Sequence, residues 1–189
     1  GPGGKEYRQP TIEEIEAASI TSDELAAAFG NIPFGEPVET IPVGGSRTGG
    51  GSPFTPPQYG LTRWSDIFTP RQLFGLATFV KFVRASPIRM AEQSYSPEWC
   101  EAVWALLALA VDRIADRSSS IAHWDVTRES IANTFSGFRL PISWDFCESS
   151  PTGDATGSFS GQVEWIARAA EHVSQARSES APDVTRSSA

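Results

Sequence analysis

Ten consecutive apolar residues, Ala102 to Val111, constrain this chain more than any other stretch. Ser96 and Pro97 ahead of them supply an N-cap and a first-turn proline. Glu98 and Glu101 sit where the positive end of a helix favours acids. The spacing predicts one helix over about 97–117, apolar on every face, a pattern that marks a helix buried all round. Its last turn becomes polar with Asp112, Arg113, Asp116 and Arg117, which fall at pairing distances along a helix. A membrane span requires roughly 20 apolar residues, so this run reads as core.

Helix-start chemistry recurs along the chain. Thr11 with Glu14, Thr21 with Glu24, and Thr69 with Gln72 are capping boxes. The first two open short helices, the second closing at Gly30. From Asn31 to Gln58 the chain turns to Pro, Gly, Ser and Thr, with Val38, Ile41 and Val43 suggesting a short extended piece and Gly44 to Pro57 a linker. The box at Thr69 predicts a helix to about Arg84, stopped by Ser86-Pro87. Asp125 is expected to cap a third helix, Val126 to Phe135. Leu140 to Phe146 reads as extended or irregular, and Ser149 to Gly157 as a polar loop. An amphipathic helix is expected over about 162–175, its stripe being Val163, Ile166, Ala167, Ala170 and Val173. The fold class expected is mainly α. A helical domain (59–177) surrounds the central buried helix, after a long irregular N-terminal region (1–58) and before a disordered Ser-rich tail (178–189).

A net charge of −8 argues against a free-standing nucleic-acid binder, which needs clustered Lys and Arg. The acidity sits mostly in the flanks, because residues 59–148 hold 9 basic and 10 acidic side chains. Two cysteines, Cys100 and Cys147, cannot make a four-ligand zinc site, and no metal is expected. The polar start lacks a signal peptide's apolar segment, so a cytoplasmic protein without membrane contact is expected. The only methionine is Met90, which suggests a piece of a longer reading frame or an altered start.

Candidate chemistry is sparse. Gly49-Gly50-Gly51 follows no strand, opens no helix and lacks the Lys-Ser/Thr of a phosphate loop. Ser118 to Ser120 with His123 could suggest a small hydrolase, but no glycine elbow surrounds the serines. Arg63, Arg71, Arg113, Arg128 and Arg139 could converge on phosphate or pair with the nearby acids. Six tryptophans are most simply packing residues.

Several blocks in order carry a resemblance. They are Tyr59-Gly60-Leu61-Thr62-Arg63-Trp64-Ser65-Asp66-Ile67-Phe68-Thr69-Pro70-Arg71-Gln72, then Leu107 to Asp116 with Asp112-Arg113, then Trp124-Asp125, Thr127-Arg128-Glu129 and Ile131 to Phe135 with Asn133. Leu140-Pro141, Trp144-Asp145-Phe146 and Val163-Glu164-Trp165-Ile166 follow, and Tyr7-Arg8 with Pro10-Thr11 forms a lead-in. Over about 59–175 the chain resembles the central segment of a large bacterial and archaeal family of adenine-specific DNA methyltransferases, some of them in anti-phage defence loci. Arg117-Ser118 departs from the family's more usual Tyr-Asn, and Gly75 sits where a better helix former is expected.

The resemblance implies a helical insert of an α/β methyltransferase. S-adenosylmethionine would bind elsewhere in the parent enzyme, and nothing would bind it in this chain alone. The family's glycine-rich cofactor loop and its Asp-Pro-Pro-Tyr sequence are both absent here. No catalytic residue is therefore carried over. The implied partners are DNA and the remaining methyltransferase domains. The implied signature, DNA-facing or structural, is Arg63, Trp64, Arg71, Asp112, Arg113, Trp124, Asp125, Arg128, Asn133, Trp144 and Asp145. The alternative is a non-catalytic helical module that binds another protein, suggested by the acidic flanks and the apolar helix.

Overall fold

Side-chain caps start four of the helices. Thr11, Thr21 and Thr69 each accept a hydrogen bond from the backbone three residues on, and the Glu or Gln there reaches back. Ser96 caps without a box. A computed structural model describes residues 8–43, 53–135, 137–155 and 157–175. The Gly49-Gly50-Gly51 stretch, most of the Gly44–Pro57 linker, Tyr7 and the tail expected over 178–189 lie outside them.

The elements are α1 (Ile12–Ala17), α2 (Ser22–Phe29), two 3-10 turns (Pro56–Tyr59 and Trp64–Ile67), α3 (Pro70–Glu92), α4 (Pro97–Ala115), β1 (Trp124–Asp125), β2 (Ser130–Ile131) and α5 (Phe159–Gln175). The fold is mainly helical, with α3 packed on α2 and α4, and α5 packed on α4. Among the described residues no helix is long and apolar enough to cross a membrane.

At α1 the Arg8 guanidinium holds both oxygens of Glu14, at 2.7 and 2.6 Å. Arg8, with help from the Thr11 backbone N–H, pulls the Glu14 carboxyl down to about 2. A depressed carboxylate supports the helix start above its ordinary value of 4.5, and that support is lost as pH falls toward about 2. NMR titration of Glu14 should give a midpoint near 2, with α1 fraying in the same range. A midpoint at the ordinary carboxylate value would mean that the Arg8 clamp does not form in solution.

Three expectations are corrected. First, α3 does not stop at Ser86-Pro87 but runs through it to Glu92. Pro87 has no N–H for the Val83 carbonyl four residues back. The Ser86 hydroxyl donates to that carbonyl instead, at 2.7 Å, so the helix continues.

Second, no helix spans Val126 to Phe135. Asp125 does accept the backbone N–H groups of Thr127 (2.9 Å) and Arg128 (3.2 Å), as a cap would. The bonds close a turn instead, with Glu129 at φ 47°. The chain then folds back so that Trp124 pairs with Ile131 and Asp125 with Ser130, antiparallel. The β-branched Val126, Thr127 and Ile131 weaken the helical alternative.

Third, α4 is not buried all round. Only Cys100, Ala110, Val111 and Ile114 are buried, while Ala102, Trp104, Ala105, Ala108 and Leu109 are exposed. The expected third helix is not there to cover it, and among the described helices α4 packs mainly on α3 and α5.

The densest apolar cluster therefore lies beyond the C-terminal end of α4. Ile41, Ile67, Ile121 and Leu140 form it, with Phe54, Leu61, Trp64 and Phe68 packed against them. Residues ahead of Tyr59 contribute directly. The 37–41 segment lies along the 62–65 segment through Ile41 N–H to the Thr62 carbonyl (2.8 Å), Trp64 N–H to Glu39 (3.1 Å) and Ser65 N–H to Pro37 (2.8 Å). Phe54 bridges Leu140. α5 begins at Phe159, ahead of the expected 162, and Phe159 stacks on Phe79 of α3 with ring centres 4.7 Å apart. Of its expected stripe, Val163, Ile166 and Ala170 are half-buried, while Ala167 and Val173 face out.

Candidate functional site: an arginine-lined cleft

The last turn of α4, the β1–β2 hairpin and the start of α5 enclose a cleft of about 830 Å³. α4 supplies Arg113, followed one turn later by Arg117. The hairpin segment supplies His123, Asp125, Arg128 and Asn133, and α5 supplies Gln162 and Trp165. Arg113 donates from Nε to the Oε1 of buried Gln162 at 2.8 Å, which fixes its guanidinium against the first turn of α5. The Arg117 backbone N–H bonds the Ile114 carbonyl at 2.9 Å, and its guanidinium makes no hydrogen bond or close ion pair with the described residues. Partial burial and then the nearby Arg113 charge lower its pKa, while Asp116 opposes the shift. Two like charges thus sit close together at one rim of an otherwise acidic chain.

Arg128 reaches back to Asp125 at 3.6 Å and remains largely exposed. Bonds from the Arg128 and Thr127 backbone and the Arg128 charge all hold the Asp125 carboxyl below its ordinary value. Trp165 stands exposed at the edge. Ser158 Oγ accepts the Gly161 N–H at 3.3 Å, and Ser158, Gly161 and Gln162 at the start of α5 line the cleft. An arrangement of this kind suits an anion with a planar group beside it, phosphate to the guanidiniums and a ring to the indole.

Of the eleven signature residues, four meet in the cleft: Arg113, Asp125, Arg128 and Asn133. The others lie elsewhere, most of them tied into the structure. Trp64 packs edge-on to Phe54 (6.4 Å) within the core. Arg71 forms a forked ion pair with Glu148. Asp145 accepts the Trp124 N–H at 3.0 Å, tying the hairpin to the 140s segment. Trp144, largely exposed, stacks edge-on against Tyr59 at 5.3 Å. Arg63 is exposed and precedes the second 3-10 turn, where its backbone N–H bonds Asp66. Asp112 lies on the open arc of α4, and partial desolvation raises its carboxyl.

The five-arginine convergence reduces to Arg113 and Arg128. Arg117 and Trp165 complete the site, and the four-residue spacing from Arg113 to Arg117 is the signal that would have paired them. The serines are structural. Ser119 is fully buried with its hydroxyl 2.7 Å from that of Thr134, and Ser120 bonds the Ile67 carbonyl. No family model, no curated protein and no solved structure matches the chain.

Proposed function

We propose that the cleft contacts nucleic-acid phosphate, and that the chain is a helical insert of an adenine-specific DNA methyltransferase. One observation carries the first half. Arg113, Arg117 and Arg128 meet Asn133 and an exposed Trp165 at the start of a helix. Arg117 and the largely exposed Arg128, held only by Asp125 at 3.6 Å, are the groups able to turn toward a phosphodiester, while Arg113 is braced by Gln162. The methyl-transfer half rests on the block resemblance alone. In that reading the parent enzyme binds S-adenosylmethionine and flips the target adenine through its other domains.

Fluorescence anisotropy with duplex DNA over a salt series tests the cleft. The chain should bind at low salt, with affinity falling linearly in log salt. Arg117→Gln with Arg128→Gln should reduce that slope by about 2 and weaken binding at least about tenfold. These changes keep most of each side-chain stem and leave Arg113 in place. No binding at low salt, or an unchanged slope, would sink the reading. Sequencing the surrounding reading frame tests the enzyme, since a frame without an Asp-Pro-Pro-Tyr-type motif excludes it. The second reading, a protein-interaction module, draws on the uncovered face of α4.

A further inference from the structure

We infer that the far half of the α3–α4 hairpin is a docking surface for a second copy of the same chain. The idea is independent of the cleft and of methyl transfer. From Lys81 onward, α3 has one buried residue, Val83. The facing half of α4 has one, Cys100, before Ala110. Large apolar side chains stand open along this arm: Phe82, Ile88, Tyr95, Trp99, Trp104 and Leu109. Two of them, Tyr95 and Trp104, border one apolar groove, the kind of exposed patch that marks a protein contact. Between the helices runs a groove of about 450 Å³, floored by Pro87, Ala91 and Cys100 and walled by Tyr95 and Trp104.

Charge identifies the occupant. On this arm α3 carries Lys81, Arg84 and Arg89, with Glu92 the exception at its end, and α4 carries Glu98 and Glu101 up to Leu109. None of these makes an ion pair among the described residues. Arg84 and Glu101 lie on opposite sides of the groove. Two helical hairpins can complete a four-helix bundle with each α3 beside the other copy's α3, or beside its α4. The first arrangement sets base against base and acid against acid. The second sets the basic helix against the acidic one on both sides of a two-fold axis. A surface bearing both signs in this layout is complementary to itself, as an isologous dimer requires. A foreign partner would have to match both rows separately. The short side chains of Ala102, Ala105 and Ala108 let a helix approach α4 closely, and Trp104 supplies a bulky anchor.

Sedimentation equilibrium on the full chain tests the proposal. A mass twice the 20.4 kDa of the chain is expected at roughly 100 µM and below. Arg84→Glu should weaken dimerisation at least about tenfold, because the new acid meets Glu101 of the second copy. Arg84→Glu together with Glu101→Arg should restore it, a rescue that mere surface damage would not give. Ile88→Glu, at a position 67% exposed, should give a folded monomer by circular dichroism. A wild-type chain monomeric throughout this range would overturn the proposal, as would an Ile88→Glu variant that dimerises like wild type. Captured partners of other sequence, with the chain alone monomeric, would also overturn it.

Discussion

Ile41→Ala is expected to destabilise the protein by roughly 2–5 kcal/mol, the range for truncating a fully buried aliphatic side chain. Ile41 is 0% exposed, and its neighbours Ile67, Ile121 and Leu140 come from three later segments. Three backbone bonds to the 62–65 segment hold the 37–41 segment, so the cavity has little freedom to collapse. Val43→Ala, two residues on and 73% exposed, is the control and should change stability by less than about 0.5 kcal/mol. Urea unfolding of both variants decides the matter. If Ile41→Ala also changes stability by less than about 0.5 kcal/mol, the N-terminal segment does not dock in solution and behaves as the flexible region expected over 1–58.

Local chemistry is readable in the sequence and long-range cover is not. Caps act within four residues, so Thr11, Thr21, Thr69 and Ser96 can be placed from their neighbours alone, and each opens its helix as expected. Pro87 misleads because its cost depends on whether another donor satisfies the freed carbonyl, and Ser86 does so. Asp125 misleads because the same side-chain bonds that begin a helix also close a turn, and the strand pairing at Ile131 decides between them. Ala102 to Val111 dictates a helix but not its neighbours. Apolar residues on every face state a need for cover, and the described residues meet that need on two sides only.

Half of the cleft is visible in the same way. The family resemblance singles out Arg113, Asp125, Arg128 and Asn133, yet their meeting depends on the hairpin that replaces the expected helix. Arg117 enters from the sequence as one of four charged residues at pairing distances in the last turn and as a departure from the family's Tyr-Asn, not as a cleft residue. In the structure Arg113 bonds Gln162, 49 positions away, a contact no local spacing encodes. Trp165 is indistinguishable from the other tryptophans until the start of α5 places it at the cleft edge.

Gly157→Ala should lower stability by about 1–3 kcal/mol and disturb the cleft at the same time. Gly157 is buried with φ at +105°, where a β-carbon is strongly disfavoured. An added Cβ would also stand 2.7 Å from Ser149 Oγ and 3.8 Å from the Arg117 Cδ. The serine clash can be relieved by turning that hydroxyl, whereas the backbone cost cannot. Ser149→Ala combined with Gly157→Ala should therefore recover only a minor part of the loss. Gly35→Ala is the comparison, since its φ is +65° and nothing lies within 4 Å of the place its new methyl would take. It should cost about 1 kcal/mol, through backbone alone. Because Gly157 itself lines the cleft, a strained turn there should weaken DNA binding where Gly35→Ala does not. Equal melting temperatures for the two variants would show that the Gly157 turn is not formed in solution. Equal DNA affinity despite a lower melting temperature would separate the turn from the cleft.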